Sequence, residues 1–100
     1  MPHDAGVLRV FRASVKPGRE EEWERVVDQH DHGKFAATAG LLGWYRGKPV
    51  NAQAPEYVFV TIWRDMDALR AYAGATAGPV LLGTERELAE SISVEHYQVW

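Results

Sequence analysis

The sequence predicts an α+β fold in which one four-stranded antiparallel sheet carries its two main helices on one face. Four stretches of the chain are rich in β-branched and aromatic residues, which is typical of strands. Two stretches between them repeat apolar residues at helical spacing. A strand and a helix follow each other without a linker in EYVFVTIWRDMDALRAYAG, which is residues 56–74.

The N-terminal half is predicted to contain a strand, a helix and a second strand. A polar arm over residues 1–6 precedes the strand Val7–Val15, which Pro17 ends. Arg19 to His30 is predicted to be helical, because apolar residues recur on one face and three glutamates fill the first turn. The sequence does not decide whether this helix continues through Phe35 to Ala39 and ends at Gly40. The second strand is Leu41 to Val50, where Gly43 and Gly47 indicate a bulge or a close backbone approach.

The C-terminal half is predicted to repeat this pattern. Tyr57 to Trp63 is the third strand, and Asp65 is placed to cap a helix that runs to Ala73. The glycine-rich residues 74–83 are interpreted as a flexible mouth. Thr84 to Ser91 is predicted to be a short helix because Thr84 and Glu87 form a capping pattern, and Ser93 to Trp100 is the fourth strand.

The order βαββαβ is the ferredoxin-like arrangement, in which helices cover one face of the sheet. A sheet with one wet face should alternate between apolar and polar residues, but the third strand is apolar on both sides. One side of this strand carries Tyr57, Phe59, Thr61 and Trp63, and the other side carries Val58, Val60 and Ile62. Because helices cover one face only, we predict a homodimer whose sheets pack face to face.

Composition limits the partners of the chain. It has 100 residues, a formal charge of −3 and no cysteine, and residues 7–100 fit a single domain. The lack of a basic stripe argues against nucleic acid, and the lack of an apolar run of about 18 residues argues against a membrane span. The absence of cysteine excludes thiolate metal sites and fits a cytoplasmic location. The short polar N-terminus does not fit a signal peptide.

Three segments resemble the antibiotic biosynthesis monooxygenase family, namely VFRASVKPGREEEWERVV, LLGWYRG and VFVTIWRDMDALRAY. The resemblance extends from Val7 to Trp100. It implies a homodimeric α/β barrel with the helices outside and a cavity between the sheet and helices of each subunit. It also implies chemistry without a cofactor, since members oxygenate aromatic polyketides or quinol-type compounds whose deprotonated form itself reduces O2.

The resemblance does not extend to the best-known catalytic residues of the family. Haem-degrading members place an iron-binding histidine on the helix after the tryptophan, but this chain has no histidine between Trp63 and Glu95. Those members also use an asparagine on the first strand, whereas the asparagine here is Asn51, in a loop. Polyketide oxygenases place an asparagine at the position of Phe59. Haem degradation is therefore not predicted, and no cofactor is expected.

The predicted site lies around Trp63, where the third strand meets the next helix. Trp63 could line a cavity and donate through its indole N–H, or it could simply pack in the core. Tyr72 could offer its phenol to a small apolar or aromatic ligand, or leave its hydroxyl in water. Trp44 and Tyr45 point to opposite faces, and we assign Tyr45 to the pocket. The other predicted pocket residues are Phe11, Phe59 and Leu69.

His30 and His96 are the candidate general bases, because imidazole titrates near neutral pH. His30 shares the apolar helix face, but it could instead interact with the negative end of that helix. His96 lies on one face of the last strand, and parity does not tell whether this is the cavity or the dimer face. His30 and His32 do not face each other on a helix, so no metal is expected.

Arg9, Arg12 and Arg46 fall on predicted strands. An arginine that faces inward could hold an enolate or a carboxylate, although ion pairs at the barrel rim are the expectation. We predict a cofactor-independent oxygenase of a small aromatic or quinol-type molecule. An isomerase or cyclase on the same fold, and a non-catalytic ligand-binding or stress-related dimer, remain open.

Overall fold

The computed structural model describes residues 6–29, 35–50, 56–81 and 84–100. The elements occur in the predicted order, including the short helix before the last strand: β1 (Val7–Val15), α1 (Glu20–Asp28), β2 (Leu41–Gly47), β3 (Glu56–Trp63), α2 (Met66–Ala73), α3 (Glu85–Leu88) and β4 (Ala89–Gln98). Residues 1–5, His30 and His32 lie outside the described residues. Gly6, which we assigned to the arm, is buried and accepts a hydrogen bond from the Val99 amide at 3.1 Å.

The strands form one antiparallel sheet in the order β2-β3-β1-β4, which confirms the ferredoxin-like prediction. Arg9 on β1 lies opposite Thr61 on β3 and opposite His96 on β4. Trp44 on β2 also lies opposite Thr61. Residues opposite each other in antiparallel strands share a face, so these four side chains lie together. We call this the helix-covered face, since Trp63 and Tyr57 on it contact the helices, and the other the open face.

The start of α2 is fixed by a cap and by a close approach. The Asp65 carboxylate accepts a hydrogen bond from the Ala68 amide at 2.8 Å, as predicted. Gly40 has a φ of +82°, and a Cβ built on it would lie 2.4 Å from the Ala68 Cβ. Only glycine permits both this conformation and this contact, so the chain before β2 can pack directly on the helix.

The C-terminal helix is shorter than the sequence predicted. Ala89 to Ser91, which we assigned to the helix, begin β4 instead, and the Thr84 side chain makes no capping hydrogen bond. The reason is long-range pairing, because Ala89 pairs with Val15 and Ser91 with Ser14 in the β1–β4 ladder. β2 likewise ends at Gly47 rather than Val50, and its predicted bulge occurs between Leu41 and Gly43.

The core consists of two separate clusters on the helix-covered face. The first contains Val7, Trp63, Ala68, Leu69 and Ala77, and the second contains Ala13, Val15, Trp23, Tyr57 and Leu88. Each main helix belongs to one cluster, through Leu69 of α2 and Trp23 of α1. A helix of nine residues is about 14 Å long, whereas a strand of nine residues spans about 30 Å. Neither helix can therefore cover the whole length of β1, and the middle of the face is left uncovered by core packing.

Candidate functional site

A cavity of about 800 Å³ occupies the middle of the helix-covered face, between the two clusters. β1 contributes Arg9 and Phe11 to its wall, at positions between the cluster residues Val7 and Ala13. β3 contributes Phe59 and Thr61 in the same way. The remaining wall comes from α1, β2, α2 and α3 together with Phe35, Thr38, Lys48 and Val80. The central positions of β1 and β3 thus face the cavity, while Tyr57 on β3 and Trp23 on α1 belong both to the second cluster and to the cavity wall.

Aromatic side chains form the apolar wall of the cavity. The Phe35 ring centroid lies 5.8 Å from that of Trp44, 5.5 Å from Phe59 and 5.7 Å from Tyr72. Trp44 and Phe59 are 6.0 Å apart. Aromatic rings prefer such tilted and edge-to-face contacts, so this wall is suited to hold the planar ring of a ligand. Sequence reasoning did not select Phe35; its only signal was an aromatic residue in the possible helical continuation before Gly40.

Trp63 lies behind this wall rather than in it. Its side chain is fully buried, and its ring stacks on Tyr72 with centroids 5.1 Å apart. The indole Nε1 donates to the Thr61 hydroxyl at 2.8 Å, so its N–H group is already used. The prediction that Trp63 is a wall and a ligand donor is therefore corrected: it orients Tyr72 and Thr61, which do line the cavity.

Tyr72 presents a protonated phenol to the cavity. Burial raises the pKa of Tyr72, the Arg9 charge partly opposes this rise, and Glu85 adds to it. The hydroxyl therefore stays protonated at neutral pH and can donate a hydrogen bond to an oxygen of a ligand. None of the described residues shares a hydrogen bond with it.

Arg9 is the charged group most deeply buried in the site. It is 3% exposed, and its Nη1 and Nη2 donate to the carbonyl oxygens of Ala77 at 3.0 Å and Gly78 at 2.7 Å. The Nη1 atom also lies 3.0 Å from the His96 Nε2. Burial lowers the pKa of Arg9 and the nearby Tyr72 opposes this, yet an arginine remains protonated in proteins. The expectation of a rim ion pair is thus wrong for Arg9.

His96 supports Arg9 rather than facing a ligand. Because the guanidinium can only donate, the His96 Nε2 must accept, which makes the ring neutral with its proton on Nδ1. Burial lowers the pKa of His96, and the Arg9 charge lowers it further. The pairing of His96 with Arg9 places His96 on the helix-covered face, which the alternation of residues along the strand did not determine. The lone pair of Nε2 is engaged, so His96 is not available as the base we predicted.

The opposite end of the cavity is charged and more open. The Tyr57 hydroxyl donates to the Glu24 carboxylate at 2.6 Å, and the Lys48 Nζ lies 3.6 Å from the other oxygen of Glu24. Burial raises the pKa of Tyr57, and the hydrogen bond to Glu24 raises it further. Arg46 is paired with Asp28 at 2.8 Å. Each of these positive charges is paired with a negative one, so this end of the cavity is a polar opening without an excess charge.

The other predicted residues separate into three groups. Phe11 and Phe59 line the cavity as expected. Leu69 is fully buried in the first cluster and does not reach it. Tyr45 lies opposite Val60 on the open face and is 68% exposed, so Trp44 occupies the place we gave to Tyr45. His30 lies outside the described residues, and its role stays a prediction.

The described ranges contain neither a metal-binding cluster nor a membrane-spanning helix. No cluster of three or more His, Cys, Asp or Glu side chains there could hold a metal ion. The described helices are also all too short or too polar to cross a membrane.

Comparison with known proteins gives a family and a fold. The sequence profile of the antibiotic biosynthesis monooxygenase family matches residues 6–77. PA3566 from Pseudomonas aeruginosa superposes with a TM-score of 0.75 at 16% identity, over 100% of this chain and 99% of that one. SnoaB from Streptomyces nogalater, a cofactor-independent oxygenase, has a TM-score of 0.68 at 22% identity, over 96% and 94%.

A third similar structure contains a bound porphyrin. It is a mutant of MhuD with two manganese protoporphyrin IX molecules per active site, with a TM-score of 0.70 at 23% identity over 93% of each chain. At these identities the likeness concerns the fold alone. Among curated proteins, none matches the chain significantly.

Proposed function

We propose that this chain, which belongs to the antibiotic biosynthesis monooxygenase family, is a cofactor-independent oxygenase of a small aromatic or quinol-type molecule. The cavity of about 800 Å³ with its aromatic wall is the observation that carries the proposal. Phe35, Trp44 and Phe59 can hold a planar ring, while Tyr72 and Arg9 supply donors for an oxygen on it. The similarity to SnoaB is consistent with this reaction class.

The proposed reaction needs the protein for position and electrostatics. The bound ring loses a proton, and the resulting carbanion or phenolate transfers electrons to O2. A carbon–oxygen bond forms, and loss of water leaves a new carbonyl, so one oxygen atom enters the product and the other leaves as water. Tyr72 would stabilise the negative charge that develops on the ring oxygen, because a donor that is already in position needs no reorganisation.

The proton acceptor in this scheme is still to be assigned. His96 is occupied by Arg9, and His30 is outside the described residues. We keep His30 as the proposed base, since helical spacing in the sequence aligns it with Trp23 and Val27, which line the cavity. The competing function is a ligand-binding protein that has no catalytic base. It is favoured by the contact of His96 with Arg9, which leaves His96 unavailable for proton transfer.

Haem-dependent chemistry is not part of the proposal. The described wall of the cavity offers a phenol and a guanidinium but no imidazole to bind an iron atom, since the ring of His96 is directed to Arg9.

We also propose that the active protein is a homodimer that buries the open face. The middle of this face is apolar on both central strands, through Leu8, Val10, Val58, Val60 and Ile62. An apolar sheet surface of this kind is rarely left in water. A second copy covers it without disturbing the cavity, which opens on the other side of the sheet.

The test is oxygen consumption with a panel of anthrones and hydroquinones in chelator-treated buffer. We expect O2 uptake by the wild-type protein in stoichiometric proportion to a quinone product. Tyr72→Phe should slow turnover by roughly 100- to 1000-fold, the loss expected for a donor that acts in the transition state. Tyr45→Phe, on the open face, is the control. Binding of several panel members without any O2 uptake would instead identify a binding protein, and turnover that persists under nitrogen would identify an isomerase or cyclase.

A further inference from the structure

We propose that Arg9 recognises a carboxylate on the ligand, so that the cavity selects aromatic monocarboxylates over neutral aromatic molecules of the same shape. The inference depends on the proposed function for the location of the ligand, but it concerns binding and requires no turnover. Arg9 is a wall residue of the cavity, and no carboxylate contacts it among the described residues.

The charge balance of the strand arginines singles out this residue. Arg12 is paired with Glu95, and Arg46 with Asp28, and all four of these side chains are partly exposed. Arg9 is 3% exposed, yet its partners are two carbonyl oxygens and a neutral imidazole. A buried cation that no carboxylate contacts directly is costly, so a site that retains one is suited to an anion from outside the chain.

The geometry of Arg9 leaves room for such an anion. A guanidinium has five N–H groups, and the contacts to Ala77, Gly78 and His96 use three of them. Two N–H groups remain, which is the number that a bidentate carboxylate needs. The carbonyl contacts hold the head group in place before the ligand arrives, which reduces the ordering cost of binding.

The surrounding groups define the class of ligand more closely. Tyr72 interacts electrostatically with Arg9 and also stands edge-on to Phe35, so it joins the charged part of the site to the aromatic wall. Glu85 is buried and lines the same cavity near Tyr72. The cavity therefore already contains an acidic side chain, which favours a ligand with a single negative charge over one with two. A flat ring bearing one carboxylate satisfies all of these neighbours.

The experiment is isothermal titration of the wild-type protein, under nitrogen and at neutral pH, with 2-naphthoate and with 2-naphthamide. The two probes have the same shape and differ in charge. We expect naphthoate to bind at least about tenfold more tightly, since a hydrogen bond to a charged group is worth more than this factor. Equal affinities, or tighter binding of the amide, would overturn the proposal.

Two variants assign the preference to Arg9. Arg9→Gln should lose the preference while binding of naphthamide stays within about threefold, the range of an unaffected apolar contact. Arg12→Gln is the matched control, because Arg12 is on the same strand but faces away from the cavity. A preference that survives in a folded Arg9→Gln protein refutes the assignment. Should that variant fail to fold, Arg9→Lys is the second test, because lysine keeps the positive charge but lacks the paired N–H groups of a guanidinium. We expect Arg9→Lys to bind naphthoate more weakly than the wild type. Unchanged naphthoate binding would count against a bidentate contact.

The result is separable from the oxygenase proposal. A clear naphthoate preference without O2 uptake on any substrate would leave the Arg9 site in place and remove only the reaction. Oxygen uptake on neutral anthrones together with equal naphthoate and naphthamide affinities would remove only the carboxylate site.

Discussion

β1 presents one arginine to each face of the sheet, and the two arginines have opposite surroundings. Arg9 is almost completely buried on the helix-covered face and contacts only neutral groups among the described residues. Arg12 is on the open face, where its side chain is 33% exposed and is paired with Glu95. Three residues of sequence thus separate a buried guanidinium that no carboxylate contacts among the described residues from an ordinary surface ion pair. The alternation of a strand lets one segment serve two environments.

The two faces also differ in what completes them. The helix-covered face is closed by its own helices at both ends and has ligand space in the middle. The open face is apolar in the middle and lacks any cover within the described chain. In the function proposed above, the first face determines which molecule binds and the second determines assembly. Mutations on the two faces should have separable effects.

The largest expected effect is on the helix-covered face. Leu69→Ala removes a fully buried side chain from the first cluster and should lower the free energy of unfolding by about 2–5 kcal/mol. Val50→Ala, at a fully exposed side chain, is the control and should change it by less than about 0.5 kcal/mol. Urea denaturation followed by tryptophan fluorescence measures both. A small loss for Leu69→Ala would mean that the first cluster is loosely packed.

The next effect tests whether the open face is an interface. Val60→Glu places a carboxylate in the apolar middle of that face and should weaken the dimer by at least about 100-fold, because an unpaired buried charge is costly. Ala71→Glu, exposed on α2, should leave assembly unchanged. Sedimentation equilibrium gives the dissociation constants. A wild-type protein that is monomeric at micromolar concentration removes the dimer from the proposal.

The smallest effect concerns the pH dependence that His96 contributes. Its folded pKa is lowered, so the unfolded chain binds the proton more readily near the ordinary value of about 6.5. The contribution to stability is therefore complete above about pH 6.5 and is lost as the pH falls through the folded pKa. Wild-type protein should lose more stability than His96→Gln between about pH 7.5 and pH 5.5 in urea denaturation. An NMR titration should also show that Arg9→Gln raises the pKa of His96; an unchanged value would contradict their coupling.

The segment around β3 and α2 could be predicted well, because its signals are local. Asp65 lies next to the helix that it caps, and the helical spacing around Leu69 is visible within a few residues. The two-sided apolar pattern of β3 also occurs as expected. Each of these features depends on neighbouring residues only.

The errors share a different physical origin, which is pairing between distant strands. Parity placed Trp44 and Tyr45 on opposite faces, but only the pairing of Trp44 with Thr61 tells which of them reaches the cavity. The same holds for His96, whose face follows from its position opposite Arg9. Ala89 joined β4 because Val15 was available to pair with it. A single sequence contains no local signal for such partners.

The separation of the two core clusters has a consequence for how this protein can change over evolutionary time. Most residues of the two clusters lie toward the ends of the strands, and cavity residues such as Phe11 and Phe59 lie between them, while Tyr57 belongs to both groups. Substitutions in the central positions can reshape the chamber while the cluster residues keep the subunit folded. Such a scaffold can diverge in chemistry with little loss of stability, which suits a family whose members differ widely in what they act upon.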